Sequence, residues 1–295
     1  MQNILVNIDE TNQRSSAWLF LGWTLLYIGI FVFMGVFSDN EPNSILSIDP
    51  TMLMVLQGIG AGVFFLLLPF LFWRYALRLK IQDTFQRFDL VTLGYTVLLA
   101  LAAMIVISAI GAWNMSLDLP DSAFEQWAQT KEAELKILTE HLINFTSMSH
   151  FLLAILVIGI IPALGEELLF RGLIQNLISK ISNNYHIGIW VSAILFSAIH
   201  LQFYGFFPRM LLGALFGYIY VWSGRLSVAM FAHFLNNSIA LTMAYVASSG
   251  LVEVSPEELE QAAPWPVVLF FVVVGGFALY KFKQHFQHEP LAESI

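Results

Sequence analysis

Along the 295 residues, apolar runs of about twenty residues recur, separated by short polar connections. A run of that length crosses a hydrocarbon core as a helix, because about 30 Å at 1.5 Å per residue requires about 20 residues. Eight stretches qualify, at about 17–37, 51–73, 91–113, 148–171, 187–204, 207–222, 226–247 and 264–280. They predict an all-α fold, a polytopic transmembrane bundle of about eight spans. The segment 118–147 is the longest polar stretch and suits a helix lying near the outer surface; no chemistry is assigned to it. The first span lacks a small-residue cleavage site and is read as a retained helix. No repeat of 20 to 50 residues interrupts the chain, so 1–295 is read as one membrane-embedded domain with its core at about 148–247.

Composition agrees with that pattern. Hydrophobic residues make up 58% and charged ones only 12%, against about 25% charged in soluble domains. The lipid bilayer is therefore a partner, and with 13 basic residues and a net charge of −8 nucleic acid is not. With no cysteine, disulfides, thiolate nucleophiles and Cys-based metal sites are excluded. Ten of the thirteen Lys and Arg fall in alternate connections if the N-terminus is inside; Lys131, Lys136 and Arg209 remain outside. Excess basic residues mark cytoplasmic loops, which places both termini and the loop from Arg74 to Asp89 inside. A bacterial cytoplasmic membrane is the expected location.

Small residues four apart, Gly58 and Gly62 in "GIGAG" and Gly213 and Gly217 in "GALFG", predict close helix approaches.

Three spans break the apolar rule. "PALGEELLFRG" sets Glu166, Glu167 and Arg171 at the end of an apolar run, although each intramembrane charge costs roughly 2.5 to 3.5 kcal/mol. Phe196 and His200 lie four apart in "FSAIH", as do His233 and Asn237 in "HFLNN". Residues four apart share a helix face, and the economical way to bury such groups is to point them at one another. Glu167 and Arg171, also four apart, are placed to form an ion pair. Glu166 is turned about 100° away and is free to face the histidines. His141, His150, His186, His285 and His288 lie at span ends or in the tail and are read as solvated.

A carboxylate and an imidazole can activate water, while a second imidazole and a carboxamide can donate to a developing oxyanion. That combination suits peptide-bond hydrolysis. Glu166, His200 and His233 could instead ligate zinc or another divalent metal whose bound water attacks; the sequence leaves metal or none open. HExxH, GxGD and GxSG-like motifs are absent. Two readings from other classes are a proton-coupled transporter that uses the same ionisable groups and a non-catalytic membrane scaffold or regulator.

"EELLFR", "FSAIH" and "HFLNN", in that order, resemble the three motifs of the CAAX protease and bacteriocin-processing (CPBP) family of intramembrane proteases, which includes the Ras-converting endopeptidase. The resemblance covers about 160–240. It implies that Glu166 and His200 activate water and that His233 and Asn237 stabilise the oxyanion. Glu167, Arg171 and Phe196 complete the motifs. The implied substrate is a membrane-associated or CAAX-like peptide or protein. The family is often called metalloprotease, and a metal-independent glutamate mechanism has also been proposed for it.

Overall fold

The computed structural model describes residues 46–72, 74, 89–145, 147–249 and 263–288. Among these residues there are helices and no strands. The expected span at 17–37, both termini, and Arg78, Lys80 and Arg87 lie outside the described residues.

The helices start where capping chemistry appears. Helix α1, Pro50–Leu71, opens on Pro50 with Asp49 accepting from Met52 N at 3.1 Å; proline tolerates this position because its missing N–H would be unpaired anyway. Helix α2 is Leu90–Met115, capped by Asp89, which accepts from Thr92 N at 2.7 Å. Helix α3, Ala123–Ile143, is the polar segment, capped by Ser122. Helix α4 runs unbroken over Met148–Ser182, 35 residues or about 50 Å, and ends at Asn183 in the left-handed region. Helix α5 is Tyr185–Ala198, α6 is Phe206–Ser223, α7 is Leu226–Ser248 and α8 is Trp265–His288.

Seven of the eight expected apolar stretches are thus helical. Five of these helices, α1, α2, α4, α7 and α8, are long and apolar enough to cross a membrane by themselves. The chain is a multi-pass membrane protein.

The fifth stretch departs most from expectation. It was expected to run to residue 204, but α5 stops at Ala198 after 14 residues, about 21 Å and short of a full crossing. Leu201 adopts φ 55°, which ends the helix, and residues 199–205 form a turn before α6. Irregular backbone in a membrane protein needs internal partners. Here Leu201 N bonds Ala198 O at 3.1 Å, Ser197 Oγ bonds Phe206 O at 2.6 Å, and fully buried Asn114 of α2 accepts from Phe207 N at 3.1 Å. The break carries His200 off the helix and into the bundle.

Phe170 and Leu173 of α4, Phe196 of α5, Phe216 of α6 and Val228 and Ala232 of α7 build the core around the middle of α4. Because lipid is as apolar as these side chains, close packing holds the helices together more than water exclusion does. Gly165 is needed for this: a Cβ there would stand 2.7 Å from the backbone carbonyl of Phe65, so α1 crosses α4 one residue before Glu166. Gly213 and Gly217 meet α5 closely, as their spacing predicts. In "GIGAG" only Gly58 does so, against Val157, while Gly60 and Gly62 face open space.

His150 is a correction to the solvated reading. It is 4% exposed, beside the Phe145 ring, with neither ring nitrogen bonded among the described residues. His285 is not a free tail residue either, since its Nε2 lies 3.3 Å from Asp89 Oδ2.

Candidate active site

The site begins with a widened turn. Helix α4 contains two π-helical stretches, Ile155–Ile160 and Leu168–Gln175, flanking the seven residues Ile161–Glu167. Pro162 lacks the N–H that Ile158 O, four residues earlier, would accept in a regular helix. Asn237 Nδ2 of α7 donates to that carbonyl at 3.0 Å. π turns of this kind shift the side chains that follow, and they recur at functional sites.

Glu167 is fully buried and serves two partners through one oxygen. Its Oε1 accepts from Arg171 Nη1 at 2.6 Å and from His233 Nδ1 at 2.8 Å. Arg171, 1% exposed, also donates through Nη2 to Gly213 O at 2.8 Å. Its planar head lies over the Phe196 ring at 4.7 Å and the Phe216 ring at 5.4 Å. Lysine could not reproduce the fork and the stack together. Phe216 also stacks on the His233 ring at 5.0 Å, so the imidazole is fixed from the side and from behind.

Those contacts determine what faces Glu166. A carboxylate only accepts here, so His233 Nδ1 carries the hydrogen and Nε2 is left facing Glu166 Oε2 at 3.9 Å, beyond hydrogen-bond distance. The Glu166 side chain is 13% exposed against 0% for Glu167. Neighbouring carboxylates therefore differ, one locked inside a network and the other mostly buried but partly exposed.

The His200 and His233 rings both lie against Phe196, with centroids 5.4 and 6.0 Å from its ring. Its Nδ1 donates to Phe196 O at 2.9 Å. Since a carbonyl only accepts, the neutral ring has its lone pair on Nε2. Phe196 thus contacts both imidazoles: its carbonyl holds His200, and its ring packs edge-on against both.

Asn237 does not share a partner with His233, although the two are four apart. Its carboxamide is spent partly on Ile158 O and accepts from Asn236 Nδ2 at 3.2 Å, with one Nδ2 hydrogen left over. Zinc or another divalent ion would call on Glu166, His200 and His233. Among the described residues no three His, Asp or Glu side chains are gathered to hold a metal ion, and the chemistry derived below uses the side chains themselves.

Four groups here lie outside the three motifs: the Gly213 and Ile158 carbonyls, the Phe216 ring, and Arg209, which donates to Gln202 on the His200 turn. Gly213, Phe216 and Arg209 reach it from α6 and Ile158 from the first π turn of α4, so spacing within the motifs does not reveal them. Only Arg209, a charge within an apolar stretch, was open to notice.

The chain is similar to the uncharacterized protein YpbD of Bacillus subtilis (strain 168), with 28% identity over 125 residues, 41% of this chain. The match spans 59% of that relative's length. No solved structure matches. The three motifs and the contacts around them fall inside residues 148–239, which match the model of the Type II CAAX prenyl endopeptidase Rce1-like family.

Proposed function

We propose that the chain is an intramembrane endopeptidase that hydrolyses a peptide bond of a membrane-associated, CAAX-like substrate. One observation carries this: Glu167, neutralised by Arg171, holds His233 by Nδ1 so that Nε2 faces the more open Glu166 at 3.9 Å. A purely structural network would have no use for the second carboxylate, whose burial is costly.

Glu166 takes a proton from water while the water oxygen attacks the scissile carbonyl. His200 Nε2, the acceptor atom of its ring, receives the other water hydrogen as a hydrogen bond. Charge then develops on the carbonyl oxygen. The remaining Nδ2 hydrogen of Asn237 donates to it, as does His233 Nε2 when that ring carries hydrogens on both nitrogens. Glu166 finally returns its proton to the leaving amine, which completes hydrolysis with no covalent intermediate.

The test compares membrane peptides in cells carrying the wild type and Glu166→Ala at equal membrane levels. Precursors should accumulate in the variant and their fragments disappear. Indistinguishable peptide profiles would contradict the proposal and favour a scaffold or transporter.

A further inference from the structure

Arg209, in the first turn of α6, has no role in the chemistry above. Its guanidinium lies along the turn that carries His200, with Nη2 donating to Gln202 Oε1 and the group resting against Gly205. Nη1 is buried with no hydrogen-bond partner among the described residues. A buried guanidinium N–H without an acceptor is expensive to keep and is a standing demand for an anion.

Two carboxylates lie within electrostatic reach of Arg209, Glu132 of α3 first and Glu166 second. Neither gives it a hydrogen bond among the described residues. Glu132 Oε2 is likewise buried and unpartnered. An unsatisfied donor and an unsatisfied acceptor therefore lie in one another's field beside the catalytic turn, without closing on each other. An anion would satisfy the unpartnered donor.

We propose that Arg209 anchors the C-terminal carboxylate of the substrate, with Glu132 acting as the counter-charge that the incoming carboxylate displaces. The inference rests on the endopeptidase reading. In a CAAX-like substrate the chain ends three residues beyond the modified cysteine. At about 3.4 Å per extended residue, that end lies roughly 10 Å from a bond cleaved there. A cation fixed on the His200 turn through Gln202 would measure that distance, selecting bonds near a chain end over internal ones.

The test uses the full chain in proteoliposomes and a farnesylated peptide ending Cys-Val-Ile-Ala, supplied as the free acid and as the C-terminal amide. The wild type should prefer the acid by about 10- to 100-fold in kcat/KM, the effect of a charge-assisted hydrogen bond, expressed mainly in KM. Arg209→Gln should remove that preference by losing activity on the acid alone, and Arg209→Lys should retain part of it. Glu132→Gln should act oppositely, lowering KM for the acid and leaving the amide unchanged. Equal cleavage of acid and amide by the wild type overturns the anchor and needs no variant to interpret. So does an Arg209→Gln variant equally impaired on both peptides. Cleavage of neither peptide by the wild type overturns the CAAX-like reading, and the anchor with it.

Discussion

Helices α7 and α8 have nearly the same length, 23 and 24 residues, and opposite duties. In α8, Phe270, Val273 and Phe277 are 61%, 70% and 62% exposed, and only one edge, including Ala278 and Phe282, packs into the bundle. In α7, Val228, Ala229 and His233 are buried, and the polar side chains reach two other turns of the protein. The more lipid-like sequence touches lipid, while the helix with polar residues is enclosed. Polar groups in a membrane have only protein to satisfy them, so each one specifies a neighbour, whereas an apolar side chain accepts lipid or protein alike.

Substitutions on the two sides should therefore differ in kind. The largest effect is expected at Glu167. Glu167→Gln removes the charge that Arg171 and His233 share, and uncoupling a buried pair costs about 3 to 5 kcal/mol. Thermal unfolding in detergent should show a large fall in Tm; a Tm equal to wild type would break the contrast.

Asn237→Ala comes next. If its spare N–H serves the oxyanion, kcat should fall about 10²- to 10³-fold with KM little changed. Loss of the Ile158 contact alone would lower Tm by the worth of one hydrogen bond, about 1 kcal/mol, and leave turnover near normal. Measuring both on one variant sharpens what α7 contributes.

Glu132 gives a smaller, pH-dependent effect. Burial pushes its carboxyl up, against the pull of Arg209 and Lys136. A raised carboxyl binds its proton more tightly when folded, so ionisation costs stability. That cost is absent below the ordinary glutamate value of about 4.3 and complete above the raised folded one. Glu132→Gln should therefore raise Tm more at pH 7 than at pH 4, and an equal change at both would refute the assignment. The smallest effect belongs to α8: Phe277→Leu, on a face open to lipid, should shift stability by no more than about 0.5 kcal/mol. A loss several times larger would mean that this face is covered by a partner.

The contrast also explains what the sequence could reveal. Helix positions were legible because apolar length is a local property: 226–247 became Leu226–Ser248, and 264–280 became the first part of Trp265–His288. The Glu167 and Arg171 pairing was legible for the same reason, since i and i+4 meet on any helix. His233 and Asn237 share a face yet turn to different partners, Glu167 and Ile158 O. Glu167 was read as a partner for Arg171 alone, and its hold on His233, 66 residues away, was missed. His200 lies just past the end of α5, beside Leu201 at φ 55°, a residue type that does not announce a left-handed turn. Arg209 reads only as an outer charge and Glu132 only as part of the polar segment 118–147, because what distinguishes them is a buried, unpartnered atom on each, Nη1 and Oε2.

The central claim is that Glu166 is the reacting carboxylate of a peptide-bond hydrolase. It is tested most directly by reconstituting wild type and Glu166→Gln in proteoliposomes with a membrane-tethered CAAX-like peptide. Product is followed by mass spectrometry and folding by Tm on the same samples. The account predicts cleavage by the wild type, a loss of about 10²- to 10⁴-fold in the variant, and a Tm no lower than that of the wild type, because Glu166 lies beyond hydrogen-bond distance of His233 and its buried charge is costly. Cleavage by a folded Glu166→Gln protein at the wild-type rate would contradict it.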